Sequence, residues 1–300
     1  MTPTHVTATW IGAQTITCIQ FIVVAYVFAC FIRHGLLTEK FRFTPTVNNF
    51  SGPSNSYKMA TAIFSFCLPS LAITQIYLIV ATTSSDTPNT SDRESSFCSV
   101  AFGFKTVFQS LVSLLSFAYM WYCQRLFYRR SSVKHLQTMA YSLISWLTLV
   151  PKMLTSVVLQ VTTLTLRKFT LNASGCVRIP GGSALRNATF LISLVFSIVG
   201  YVMLIGLFLY PLYATKRDKN RPAHEGMSKA VMHRVIRRFT LCVLLSVVGS
   251  TVPLVLSGIL LGQRPKYLKA ACDDLSLLSQ IIAVVLSIEE RTKILFWHAV

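Results

Sequence analysis

Long stretches without charge constrain this chain more than any other feature of its sequence. Residues 1 to 32 contain no Asp, Glu, Lys or Arg, and the apolar run from about Ala8 to Ile32 ends at Arg33. Further gaps separate Lys58 from Asp86, Arg186 from Lys216 and Arg238 from Arg264. Two more, from Phe97 to Gln124 and from Leu136 to Leu166, are broken only by Lys105 and Lys152. A helix rises about 1.5 Å per residue, so about 20 residues cross a hydrocarbon core of about 30 Å. Each of the six gaps meets that length. A seventh segment is shorter, with fourteen uncharged residues from Leu275 to Ile288. Started at Ala270 it becomes long enough, with Asp273 and Asp274 expected at one interface and Glu289 and Glu290 at the other. A re-entrant or surface helix is the alternative for this segment.

The expected fold is therefore an all-α, polytopic membrane protein forming a single domain over residues 1–300. Its spans lie at about 8–32, 59–83, 97–124, 136–162, 188–214, 239–262 and 270–288. Composition agrees, at 53% apolar and 13% charged residues. A soluble domain carries about 25% charged residues, so too little polar surface is present to cover one. The same balance excludes a disordered chain and a disulfide-stapled miniprotein. The first span is not expected to be a cleaved signal peptide, because no basic residue precedes it and its apolar stretch is too long.

Net charge is +18, which in a soluble protein would point to nucleic acid. Here no nucleic-acid partner is expected, because the excess follows the positive-inside rule. Eighteen basic residues fall in loops one, three and five and the tail, against eight in the N-terminus and the remaining loops. That asymmetry puts the N-terminus outside and loop five in the cytosol. Sequons at Asn89, Asn172 and Asn187 fall in outside loops and are expected to be glycosylated, while that at Asn49 falls inside. Cys98, at the outer end of span three, and Cys176, in outside loop four, face the oxidising side. They are the expected disulfide, with Cys272 a competing partner. Cys18, Cys30, Cys67 and Cys242 lie within spans as small hydrophobes.

These features together resemble the G-protein-coupled receptor superfamily over essentially the whole chain. The resemblance rests on seven spans, an outside N-terminus, Cys98 and Cys176, and the basic loop between spans five and six. Gln124-Arg125-Leu126 is the nearest match to the motif closing span three in rhodopsin-like members, shifted two residues from the family spacing. Trp146, Pro211 and Pro253 sit where that family often has such residues. The Asn-Pro-x-x-Tyr of span seven and the acidic residue of span two are absent. The subfamily stays open between rhodopsin-like and cyclic-AMP-receptor-like. The resemblance implies a plasma-membrane signalling receptor, with an extracellular ligand in the outer half of the bundle and a heterotrimeric G protein on the cytosolic face.

Chemistry is not visible in the spans. Spans one to six contain no Asp or Glu, and none of the six His lies in a span interior. Proton relays and coupled transporters use such groups, and metal or haem sites need clusters of them. No enzymatic activity and no cofactor or metal is expected, and a transporter or channel is the alternative function. Arg125, Arg234, Arg237 and Arg238 are the candidate G-protein contacts, with lipid-phosphate anchoring as the competing reading of each. Lys105 lies seven residues after Cys98, about 10 Å into span three. In amine-binding receptors of the superfamily that offset carries an aspartate. The reversed sign makes Lys105, with Lys152 as helper, the candidate site for an anionic ligand. The structural alternative is that Lys105 pairs with Asp273 or Asp274.

Overall fold

The computed structural model describes residues 3–41, 52–83, 92–129, 136–166, 169–172, 175–178, 183–217, 229–259 and 266–288. Seven helices cover nearly all of them: α1 (Pro3–Phe41), α2 (Gly52–Thr83), α3 (Asp92–Tyr128), α4 (Met139–Leu166), α5 (Ser183–Arg217), α6 (Lys229–Ile259) and α7 (Lys266–Ser287). Two short strands, β1 (Phe169–Asn172) and β2 (Gly175–Arg178), pair antiparallel between α4 and α5. Nothing in the charge pattern announced this hairpin. It lies beside the starts of α3 and the ends of α2, in register from Phe169 opposite Arg178 to Asn172 opposite Gly175.

Most helices extend past the charge-free stretches that mark them. α1 continues beyond Arg33 to Phe41, because a helix satisfies its own backbone whether its side chains face lipid or water. Local chemistry sets other ends. Thr138 caps α4, its Oγ1 accepting from the Tyr141 amide at 3.2 Å, so the helix starts at Met139 rather than Leu136.

Each helix packs against its successor, and α7 closes back onto α1. α3 runs through the middle and also touches α5 and α7. A continuous apolar core joins Phe31, Phe64, Phe117, Tyr201, Phe208 and Val284 from five of the helices. The outside is as apolar as the core. Ile22, Leu143, Leu147, Leu154, Leu191 and Val202 are all more than half exposed. Meanwhile Gln20, Ser70, Thr74, Ser116, Gln124 and Gln280 are buried. Apolar outside and polar inside is the arrangement of a helical bundle in lipid, where interior hydroxyls and amides hold helices together. Among the described residues five helices, α1 to α5, are long and apolar enough to cross a membrane. The chain is a helical membrane protein.

Candidate functional site

The site begins with helical phase. Along α4 the buried residues Tyr141, Ser145, Thr148 and Lys152 form one stripe, while Leu143, Leu147, Val150 and Leu154 face outward. Lys152 therefore points into the bundle. On α5 the stripe that meets it carries Ser193 and Ser197. Gly200, one turn further, lets α5 approach closely, since a Cβ there would lie 3.3 Å from the Phe117 ring. Lys152 Nζ donates to Ser197 Oγ at 2.5 Å, and Ser197 Oγ in turn donates to Ser193 O at 2.6 Å.

These residues line a partly open cavity of about 220 Å³ bordered by α3 to α7. Thr106, Gln109, Ser110 and Ser113 come from α3, Thr251 from α6 and Gln280 from α7. The cavity lies in the half of the bundle that holds the start of α3, the end of α4 and the start of α5. The β1–β2 hairpin sits at that same end. Lys152 is 7% exposed and makes no ion pair among the described residues. A lysine in a membrane helix centre costs about 2.5–3.5 kcal/mol on insertion scales, so an unpaired one marks a site by default.

Lys105 has a different environment. Its Nζ lies 3.3 Å from Asp274 Oδ1, with side chains 7% and 0% exposed. Thr74 Oγ1 donates to the same oxygen at 3.3 Å, so α2, α3 and α7 meet at one carboxylate. Lys105 does not line the cavity, whereas its neighbours Thr106 and Gln109 do. Thus the order of the two lysines is reversed from the expectation: Lys152 faces the cavity and Lys105 carries its own counter-ion.

The alternative partners expected for Lys105 were Asp273 and Asp274, and the ion pair forms with Asp274. Asp274 belongs to the inward stripe of α7 with Leu277, Ile281 and Val284, at helical spacing. The backbone carbonyl of its neighbour Asp273 accepts from Gln109 Nε2 at 3.3 Å. The spacing 274, 277, 281, 284 was the signal available in the sequence. Ser193 and Ser197 carried none, since serines occur in every span but the first.

At the other end of the bundle the basic residues do separate things. Arg125 sits against the adjoining rings of Trp121 and Trp146, its guanidinium 5.1 and 5.2 Å from the ring centres. Its Nη2 reaches Ser142 Oγ at 3.4 Å, so it ties α3 to α4. Arg238 donates from Nε to Leu286 O at 2.6 Å and from Nη2 to Ile288 O, capping α7. Arg237 is exposed. The side chain of Arg234 lies outside the described residues, as do those of Cys98, Cys176, Cys272, Asn172 and Asn187 and the whole of Asn89 and Asn49. The backbone puts Cys176 opposite Leu171 in the hairpin that packs beside α3, the helix that carries Cys98.

Hydroxyl and amide groups continue the polar interior toward this end. Gln124 Nε2 donates to Tyr141 OH, and Ser145 Oγ donates to Gln124 Oε1 at 3.4 Å. Tyr128 OH donates to Leu207 O at 2.6 Å, joining α3 to α5. Ser287 Oγ donates to Tyr119 OH at 3.0 Å, joining α7 to α3. No group of three or more His, Cys, Asp or Glu is placed to hold a metal among the described residues. No protein-family model matches this chain, and comparison with curated proteins finds no match either.

Proposed function

We propose that this chain is a seven-span signalling receptor of the G-protein-coupled type, with its N-terminus outside. It takes an extracellular ligand into the cavity between α3 and α7 and passes the signal to a G protein on the basic face. The carrying observation is the position of that cavity. It occupies the half of the bundle opposite the basic loops, is lined by α3, α4, α5, α6 and α7, and contains a cation with no acidic partner among the described residues. Loop five and the end of α3 supply the basic inner surface, where exposed Arg237 is the remaining described candidate for partner contact. Plasma-membrane location, glycosylation and the outer disulfide belong to this same reading.

The reading is tested by nucleotide exchange on a panel of heterotrimeric G proteins, with membranes carrying the protein against membranes without it. Exchange on at least one G protein above the control supports it, and none across the panel rejects it.

The ion pair of Lys105 and Asp274 favours a second reading. Intramembrane acid–base pairs serve coupled transporters, where one partner changes charge during the cycle. Uptake driven by a proton gradient in proteoliposomes, lost in Asp274→Asn, would establish transport in place of signalling.

A further inference from the structure

Lys152 has three N–H donors, and a single one of them is used, by Ser197. The other two have no partner among the described residues, although the side chain is more than nine-tenths buried. Lys152 lines the cavity as a cation with no acidic partner among the described residues. Buried charged groups are almost always paired, and an unpaired one calls for an occupant. A negative group answers Lys152.

The occupant is small. At about 30 Å³ per water, 220 Å³ holds on the order of seven waters, or an organic molecule of about ten non-hydrogen atoms. Leu159, Leu194, Ile198 and Leu277 complete the walls, so part of the occupant is apolar. A single cation matches a single negative charge and leaves a phosphate dianion half paired. Lys105 adds nothing here, since Asp274 already neutralises it.

We infer that the cavity is a binding site for a small organic monoanion, a carboxylate with an aliphatic body. Its carboxylate is held by Lys152 and Ser197, and its aliphatic part lies against Leu159, Leu194, Ile198 and Leu277. This names the ligand class for the receptor reading and rests on it for its biological meaning, though not for the binding itself.

The test uses the full chain purified in lipid nanodiscs. Its melting temperature is followed against aliphatic carboxylic acids of about four to six carbons, their neutral amides, and sodium chloride. At least one acid should raise the melting temperature saturably, with its amide at least about ten-fold weaker and chloride without comparable effect. Lys152→Gln should abolish the shift, whereas the double variant Lys105→Met/Asp274→Asn should keep it. As a readout that needs no variant, the same acid should protect Lys152 from reductive methylation in the wild-type protein. Amides that bind equally well, an undiminished shift in Lys152→Gln, or no shift with any acid would each overturn the assignment. Saturation by chloride alone would replace it with an inorganic-anion site. Nucleotide exchange is scored separately. Binding through Lys152 without exchange rejects the receptor and keeps the site, and exchange without acid binding does the reverse.

Discussion

Lys105 on α3 and Asp274 on α7 face each other at 3.3 Å inside the bundle, and neither side chain is more than 7% exposed. Thr74 of α2 reaches the same oxygen, so the pair joins three helices at one carboxylate. Breaking a buried pair from one side strands a charge, which typically costs about 3–5 kcal/mol. Removing both sides removes the stranded charge as well. Lys105→Met and Asp274→Asn should each lower thermal stability in detergent markedly, and the double variant should recover most of the loss. A double variant as unstable as the two single losses added together would mean that the residues act independently.

Gly249 of α6 packs directly on Ser279 of α7. A Cβ at position 249 would overlap both the Oγ and the Cβ of Ser279. Small residues at such crossings let two membrane helices approach closely. Gly249→Ala should destabilise the protein by about 1–3 kcal/mol, the usual range for overpacking. Ser279→Gly in the same chain should restore much of it. Equal stability of Gly249→Ala and wild type would show that α6 and α7 have room to part.

Arg238 holds the last carbonyls of α7 through two charge-assisted bonds. Hydrogen bonds to charged groups contribute about 1.5–3 kcal/mol. Arg238→Ala should therefore speed amide exchange in the final turns of α7 and lower stability. Arg238→Lys should rescue little, because a lysine lacks the planar fork that reaches both carbonyls. Unchanged exchange with impaired G-protein activation would return Arg238 to the docking surface.

Topology gives a glycosylation pattern. Asn89, Asn172 and Asn187 should receive glycans and Asn49 should not. Removing each asparagine in turn and reading gel mobility checks this. A shift dependent on Asn49 alone would invert the chain in the membrane.

Cys98 and Cys176 should be bonded in protein taken from the cell surface. Loss of a native disulfide costs about 2–5 kcal/mol in small secreted domains, and a loss toward that range is expected for Cys176→Ser. Alkylation of both thiols without prior reduction would contradict the pairing.

The helices were legible in the sequence because lipid offers the backbone no hydrogen bonds. Any apolar stretch long enough to cross must close its own ladder, so stretches free of charge mark α1 to α6, and the fourteen uncharged residues from Leu275 mark most of α7. The two lysines stood out for the same reason, as charges in otherwise apolar spans. For Lys105 the sequence narrowed the partner to Asp273 or Asp274, but the choice between them, and the partner of Lys152, depend on helical phase and on which helices lie adjacent. Asp273 and Asp274 are neighbours in sequence, yet one residue of rotation, about 100°, buries Asp274 against Lys105. Lys152 and Ser197 are forty-five residues apart and meet because α4 and α5 pack side by side. The sequence set Lys105 ahead of Lys152, on its offset from Cys98. Only the packing of α3 against α7 and α4 against α5 neutralised one and left the other facing a cavity.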